Sequence, residues 1–207
     1  MITINKDNEP VAWTAYRNTP GATYQAIEPL RTALLVEQGY ICAYCNRDIP
    51  VTKSENRETS RIEHIQCRDN YPQRQLDYSN MVVCCPGFID STEHCDKSKK
   101  NHNISFTPFN PAVQQSISYG SKEADIKSSN GTWDNEINTI LKLNNKLLKK
   151  NRNETLDGVR AVLDKKKWSR AQIENKLLEW SNKDNEGKYK PYCGIVIWYL
   201  EKKLRQQ

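Results

Sequence analysis

Apolar residues recur along the chain with two different periods, and these periods predict where its helices and strands lie. Between residues 24 and 39 one helical face carries four apolar side chains: Tyr24, Ile27, Leu30 and Leu34. Gly39 follows this stripe and is placed to end the helix, because glycine adopts the left-handed backbone of a helix C-terminus without strain. Residues 1–20 show no such period, so they are predicted to form an irregular lead-in.

Two short stretches in the middle of the chain have the pattern of strands. Polar and apolar residues alternate in "RIEHI" (61–65), and "NMVVCC" (80–85) is a short apolar run bordered by polar sequence. The stretch "HCDKSKKN" that follows is predicted to lead into a basic helix. Residues 103–132 are rich in Ser, Asn, Pro and Gly, and we expect this connector to be irregular or weakly paired.

The last third of the chain has the 3.6-residue period of amphipathic helices. One stripe comprises Ile137, Ile140, Leu141 and Leu148, and a second comprises Leu156, Val159, Val162 and Leu163. Ser169 and Gln172 have the spacing of a capping box, which predicts the start of a helix. The apolar run after Pro191 fits either a final helix or a buried strand.

Composition and charge narrow the possible functions. The 207 residues are 37% hydrophobic and 27% charged, which is typical of a folded globular protein. No apolar stretch reaches membrane-spanning length and the first residues lack the pattern of a secretion signal, so we expect a cytoplasmic protein without a membrane partner. Residues 141–207 contain 17 Lys and Arg against 8 Asp and Glu, which indicates either a polyanionic partner or solvated helix surface.

Seven cysteines in a reducing compartment favour metal binding over disulfides. Cys42 and Cys45 form a Cys-x-x-Cys knuckle, a spacing at which two thiolates bind one tetrahedral metal such as Zn²⁺. Cys84 and Cys85 are adjacent on a predicted strand and point to opposite faces, so only one of them can readily complete the site with Cys95. We predict a structural zinc site formed by four cysteines: Cys42, Cys45, Cys85 and Cys95. Cys84 is the alternative to Cys85 as the third ligand. The remaining cysteines are expected to be buried as small apolar side chains: Cys67, Cys84 and Cys193.

Polar residues around the two strands would form a catalytic metal site if the strands pair as a hairpin and the basic helix folds back onto them. Glu63 and Asp96 would then supply oxygen ligands for Mg²⁺ or Mn²⁺. His64 would act as the base on an attacking water. Three lysines would neutralise phosphate: Lys97, Lys99 and Lys100. This combination predicts metal-dependent hydrolysis of a phosphodiester.

The order of these motifs resembles that of the HNH nucleases with a ββα-metal fold, in the branch whose cysteine pairs bind structural zinc. The resemblance covers about residues 40–100 and rests on "CAYC", "EH", "LDYSN" and "CDKSK". It implies that His64 is the general base, that Glu63 binds the catalytic metal and that Asn80 steadies the loop between the strands. It also makes Asp96 the final metal ligand, although His or Asn often occupies that position in the family and His94 is the alternative here.

Two features refine the resemblance. Nine residues separate Cys85 from Cys95, where the family usually has two, but the cost of closing a loop grows only slowly with its length. The flanking sequences "IEPLRTALLVEQGYICAYC" and "ILKLNNKLLKKNR" resemble the PtuB-type HNH subunits of Septu and retron antiphage systems. This wider resemblance implies an antiphage effector that works with an ABC/SMC-like (PtuA-type) ATPase and, in retrons, with a reverse transcriptase and its RNA–DNA.

The predicted fold class is α+β, with a ββα-metal HNH core and a structural zinc site embedded in a mostly α-helical chain. Its segments are a lead-in and helix (1–39), the zinc-stapled core (40–102), an irregular connector (103–132) and a basic helical region (133–207). The predicted function is endonucleolytic cleavage of a nucleic acid, either DNA or RNA. The alternative is a zinc-binding nucleic-acid or protein-adaptor module without catalysis, which would have no need of the predicted catalytic set.

Overall fold

The computed structural model describes residues 1–52, 58–89, 92–165 and 168–206. Within these ranges the elements follow in this order: α1 (Val11–Arg17), α2 (Glu28–Glu37), β1 (Arg61–His64), β2 (Met81–Cys84), β3 (Phe88–Ile89), β4 (Thr92–Glu93), α3 (Cys95–Lys99), α4 (Pro111–Ser116), β5 (Ile117–Tyr119), β6 (Ile126–Ser128), α5 (Gly131–Asn135), α6 (Lys146–Lys165), α7 (Arg170–Ser181) and α8 (Cys193–Arg205). Two short 3-10 helices (Pro72–Arg74 and Tyr78–Asn80) precede β2, and a π-helix (Glu136–Ile140) follows α5 directly. The chain is thus an α+β protein with small sheets and many helices, as the sequence predicts.

Each described strand belongs to a two-stranded antiparallel hairpin: β1–β2, β3–β4 or β5–β6. In the first hairpin Glu63 lies opposite Val82, and His64 lies opposite Met81. The two strands predicted from "RIEHI" and "NMVVCC" are therefore confirmed. β2 is buried along its whole length, whereas the first half of β1 is only partly buried, so this hairpin has its second strand in the core.

Helix α2 is shorter than its apolar stripe predicts. It begins at Glu28 rather than near Tyr24, with Pro29 in its first turn, where a residue without an N–H is tolerated. The predicted apolar positions within the helix are fully buried: Leu30 and Leu34. Gly39 follows the helix with a φ of +60°, and a side chain there would collide with the Tyr189 ring, so this turn requires glycine.

The C-terminal helices follow the predicted periodicity with one interruption. The first stripe does not lie on one continuous helix. Ile137 and Ile140 are in the π-helix, Leu148 is in α6, and Leu141 is in the segment 141–145 between them. The second stripe is buried on α6 except for Val162, which is 42% exposed. The predicted capping box is present at the start of α7, where the Ser169 N–H donates to Gln172 Oε1 at 3.2 Å. The run after Pro191 is a helix, α8, and not a strand.

The lead-in was predicted to be irregular, and residues 103–132 were predicted to be irregular or weakly paired. Both segments contain helices, and in that respect the predictions are wrong, whereas the short β5–β6 hairpin agrees with weak pairing. The lead-in carries α1, whose fully buried Trp13 donates its indole N–H to the Leu76 carbonyl at 3.2 Å. A helix of seven residues with one buried side chain has no apolar period for the sequence to show. Residues 103–132 contain α4, the β5–β6 hairpin and the start of α5. Asn110 caps α4 by accepting a hydrogen bond from the Ala112 N–H at 3.0 Å, so polar residues here begin helices instead of preventing them.

One large cluster of buried side chains contains residues from all four predicted segments, among them Leu34, Val82, Ile126 and Leu200. The segments thus share a core, and their boundaries remain a prediction from the sequence. In the part of the chain that the structure describes, no helix combines the length and hydrophobicity that crossing a membrane requires.

Candidate metal centre and adjoining cleft

Four cysteine sulfurs converge between the turn after α2, the end of β2 and the start of α3. Cys42 and Cys45 lie in a tight turn, in which the Cys42 N–H donates to the Arg47 carbonyl at 2.8 Å. Cys85 directly follows β2, and Cys95 is the first residue of α3. The four Sγ atoms lie within 4.8 Å of one another, and all four residues are buried.

The spacing of these sulfurs fits a tetrahedral metal ion. The Sγ–Sγ distance is 3.8 Å for Cys42–Cys95 and 3.8 Å for Cys45–Cys85. Zinc bonded to four thiolates at about 2.3 Å places the sulfurs about 3.8 Å apart, because the edge of a tetrahedron is about 1.6 times its centre-to-corner distance. Burial opposes ionisation of Cys42, but hydrogen bonds from the neighbouring thiols outweigh it and lower its pKa, whereas burial raises the pKa of Cys95. A divalent cation would stabilise all four thiolates together, so this cluster could hold zinc.

The two alternative ligands of the sequence analysis occupy different positions. Cys84 is fully buried, but its sulfur is not part of the four-sulfur set. His94 borders that set, with its Nδ1 3.1 Å from the Cys95 Sγ and 4.0 Å from the Cys85 Sγ. Because His94 is fully buried beside the thiols and does not line the cleft that holds Asp96, it does not lie where a catalytic-metal ligand was expected.

A polar cleft of about 260 Å³ lies between β1 and α3. Its lining includes three residues of the predicted catalytic set: Glu63, His64 and Asp96. Glu63 and His64 end β1, and Asp96 lies directly after the last cysteine of the cluster, so the hairpin and the thiol turn together bring them to one place. The remaining member of the set, Asn80, is not part of the lining.

His64 is held in one orientation and is 5% exposed. Its Nε2 lies 2.9 Å from the Gln75 carbonyl oxygen; a carbonyl only accepts, so Nε2 carries the hydrogen and Nδ1 has the lone pair. The Tyr24 ring packs edge-to-face against the imidazole, with ring centroids 4.5 Å apart. Burial lowers the pKa of His64 to about 4, so the imidazole is neutral at neutral pH. A neutral histidine fixed in one tautomer has the form that a general base requires.

The carboxyl groups of Glu63 and Asp96 face each other in the cleft. Burial raises the pKa of Glu63 well above its usual value, and the hydrogen bond with Asp96 raises it further. Two ionised carboxylates so close together repel each other unless a cation neutralises them. Carboxylate oxygens are the donors that Mg²⁺ and Mn²⁺ prefer. The Tyr44 hydroxyl donates to Glu63 Oε1 at 3.2 Å, and Arg61 Nε pairs with Asp96 Oδ2 at 3.2 Å. The residues present could therefore hold such a metal.

Lys99 does not lie where a phosphate-binding lysine was predicted. Its side chain is fully buried, and its Nζ pairs with Glu63 Oε1 at 2.7 Å and donates to the His64 carbonyl at 3.2 Å. Lys99 comes four residues after Cys95 on α3 and therefore shares the buried face of that helix. Its ammonium group neutralises Glu63 and is not exposed to phosphate.

Positive charge on the cleft comes from two lysines that were predicted and from two arginines that were not. Lys97 and Lys100 line the cleft, and Lys100 also pairs with Glu93 at 3.5 Å. Arg61 and Arg68 line it as well. Arg61 lies two residues before Glu63 on β1 and shares its face, a spacing from which it could have been identified. Arg68 follows the strand in a loop, where no periodicity indicates its direction.

Asn80 joins the two ends of the connection between β1 and β2. Its Oδ1 accepts from the Gln66 N–H at 2.9 Å, and its Nδ2 donates to the carbonyls of Gln66 at 3.0 Å and of Arg74 at 3.3 Å. The residue is 1% exposed. These contacts are those expected of a side chain that steadies the loop, which is the role that the resemblance implies.

Comparisons with known proteins point in the same direction. No protein-family model matches the chain. Among curated proteins it is similar to one from Vibrio cholerae serotype O1 biovar El Tor, named "Retron Vc95 putative HNH endonuclease". The two are 23% identical over 205 residues, which covers 88% of this chain and 95% of the relative. This distant similarity along most of both chains supports the HNH family and a nuclease function in general.

Proposed function

We propose that this chain is a metal-dependent HNH endonuclease that hydrolyses phosphodiester bonds of a nucleic acid. The observation that carries the proposal is the convergence of Glu63, His64 and Asp96 in one cleft bordered by basic side chains. In this proposal β1, β2 and α3 form the ββα-metal core, and the thiol cluster holds a structural zinc ion beside it.

His64 is proposed to be the general base. Its Nε2 donates to the Gln75 carbonyl, which leaves Nδ1 as the nitrogen that accepts a proton from the attacking water. The edge-to-face contact with Tyr24 holds the imidazole plane in place while the proton moves. Because burial keeps the imidazole neutral, the base is in its active form at neutral pH.

Glu63 and Asp96 are proposed to hold Mg²⁺ or Mn²⁺ at the cleft. When bound, such an ion supplies Lewis-acid stabilisation of the charge that develops on the leaving oxygen. Lys99 opposes the rise in the pKa of the buried Glu63 through the 2.7 Å ion pair, and Arg61 orients the Asp96 carboxylate. Lys97 and Lys100 lie at the same cleft and contact the phosphate.

The positioning of this site depends on two further parts of the chain. Asn80 closes the β1–β2 connection through three hydrogen bonds to backbone atoms. Cys95 ties the first turn of α3 to the thiol cluster, directly before Asp96. A zinc ion held by these four thiolates would have no open coordination position, so it would fix α3 and take no part in the reaction.

The biological setting is a proposal that rests on the resemblance and on the name of the Vibrio relative. We propose a cytoplasmic antiphage effector of the retron or Septu type. Its expected partners are a PtuA-type ATPase and, in the retron case, a reverse transcriptase with its RNA–DNA. The lysine-rich surface of residues 141–207 is the candidate for contacts with these partners.

One observation favours the alternative, a zinc-dependent binding module without catalysis. Glu63 is 5% exposed and its charge is already neutralised by Lys99, as in a purely structural ion pair. Such a module would bind nucleic acid but would not cleave it. A cleavage assay therefore distinguishes the two functions, whereas a binding assay does not.

The test incubates the protein, alone and together with any ATPase encoded beside it, with DNA and with RNA in Mg²⁺, Mn²⁺ or EDTA. The proposal expects cleavage of at least one nucleic acid with a divalent metal and none in EDTA. Binding without cleavage under every condition would support the adaptor function instead. Cleavage that persists in EDTA would contradict the metal-dependent mechanism.

A further inference from the structure

A second cleft of about 380 Å³ adjoins the one that holds Glu63, His64 and Asp96. The two clefts share Lys97, which lines both of them, so a strand bound in one can continue into the other. The second cleft is bordered by Arg47, Pro86 and Phe88. Asp48 and Glu58 line the same cleft, and Glu58 pairs with Arg61 at 3.2 Å.

Phe88 is an aromatic side chain placed on the surface where packing does not require it. It is 50% exposed, and Lys97 Nζ lies 4.8 Å from its ring centroid. A large apolar side chain left in solvent beside a basic residue is the arrangement with which proteins stack the bases of single-stranded nucleic acids. The lysine adds positive charge close to the ring, within reach of the phosphate of a base stacked on its free face.

Described contacts hold the backbone of Gly87 and Phe88 against the start of α3. The Gly87 carbonyl accepts from the His94 N–H at 2.8 Å, and Phe88 pairs with Glu93 in the β3–β4 hairpin. Gly87 has a φ of +70°, and a Cβ there would lie 2.7 Å from the Lys97 Cβ, so the hairpin packs tightly against α3. Binding to a ring whose backbone is already held loses less conformational freedom, which strengthens stacking.

We propose that Phe88 and Lys97 form a nucleotide subsite beside the catalytic cleft, in which an unpaired base stacks on Phe88 and its phosphate contacts Lys97. The subsite rests on the proposed nuclease function and makes its substrate more specific. A base inside a duplex cannot present its face to the ring, so the cleft takes a single strand or an unpaired segment. Arg47 on the same cleft provides a second cation for the following phosphate.

The test measures the affinity of full-length protein for fluorescein-labelled single-stranded DNA, single-stranded RNA and the matching duplexes by fluorescence anisotropy. All variants carry His64→Ala so that the probes stay intact. Phe88→Ala is expected to weaken single-strand binding about tenfold, which equals about 1.4 kcal/mol and lies within the range measured for stacked aromatics. Phe88→Tyr retains the ring and should keep the affinity. Leu178→Ala removes another exposed apolar side chain, 61% exposed on α7, and serves as the matched control.

A second readout uses the active protein, in which Phe88→Ala should raise KM for single-stranded substrate with kcat little changed. Phe88→Ala that binds and cleaves single strands as well as the parent would overturn the subsite and leave the nuclease function intact. Equal losses for duplex and single strand would also overturn it, because stacking needs an unpaired base. Absence of both binding and cleavage in the wild-type protein would overturn the subsite and the nuclease function together.

Discussion

Replacing Cys85 with alanine removes one of four sulfurs whose spacing matches a zinc tetrahedron. Cys84→Ala is a matched control, because the two neighbours are both fully buried and only Cys85 belongs to the sulfur set. Wild type and Cys84→Ala are expected to contain about one zinc per chain, and Cys85→Ala much less. X-ray absorption of the wild type should report four sulfur ligands at about 2.3 Å.

The energetic consequence follows from the position of the cluster. Structural zinc contributes about 10–16 kcal/mol of apparent binding free energy, which is comparable to the whole stability of a small domain at about 5–15 kcal/mol. Loss of the metal should therefore release α3 and Asp96 from the β1–β2 hairpin. The midpoint temperature of thermal unfolding should decrease strongly in Cys85→Ala and only slightly in Cys84→Ala. Zinc retained at one per chain in Cys85→Ala, or absent from the wild type, would refute the four-thiolate site.

Three smaller perturbations test the residues around the cleft. Lys99→Met leaves Glu63 buried without its partner and should lower the free energy of unfolding by about 3–5 kcal/mol. In chemical denaturation, the double variant Lys99→Met/Glu63→Gln should recover most of the lost free energy of unfolding. Strictly additive effects of the two substitutions would argue against the Lys99–Glu63 ion pair. Asn80→Ala removes three hydrogen bonds to backbone atoms and should cost about 2 kcal/mol in the same assay; an unchanged midpoint would contradict the role of Asn80 in the loop. Burial lowers the pKa of His64 from 6.5 to about 4. The contribution of the neutral imidazole to the free energy of unfolding is therefore complete above pH 6.5 and is lost as the pH falls towards 4. Between pH 7 and pH 5 the free energy of unfolding of the wild type should fall by about 2 kcal/mol more than that of His64→Gln. Parallel pH profiles of the two proteins would show that the pKa of His64 is not lowered.

The local part of the site could be predicted from sequence because its spacing is short. A Cys-x-x-Cys turn, an acid next to a histidine on a strand and an apolar second strand each have their own pattern, and the hairpin pairs in the register that brings Glu63 and His64 to its end. The alternation of side chains along a strand limited the third ligand to one of Cys84 and Cys85, but it did not decide between them. These features depend on residues close together in the chain.

Contacts between distant segments could not be predicted in this way. Tyr24 packs on His64 from the segment before α2, and Tyr44 reaches Glu63 from the cysteine turn, with no shared pattern to connect them. The burial of Lys99 had a signal, its position four residues after Cys95, but a lysine in a basic run was expected to face solvent. Only packing decides which of several lysines finds a buried carboxylate.

The most direct test of the central claim is the rate of metal-dependent cleavage by wild type, His64→Ala and His102→Ala. His102 is an exposed histidine that does not line the cleft, so it controls for the loss of an imidazole. With Mn²⁺ or Mg²⁺ and the substrate that wild type cleaves, His64→Ala should be slower by about 10²–10⁴-fold, the usual contribution of a general base, while His102→Ala matches wild type. A His64→Ala protein that is folded, contains its zinc and cleaves at the wild-type rate would contradict the account.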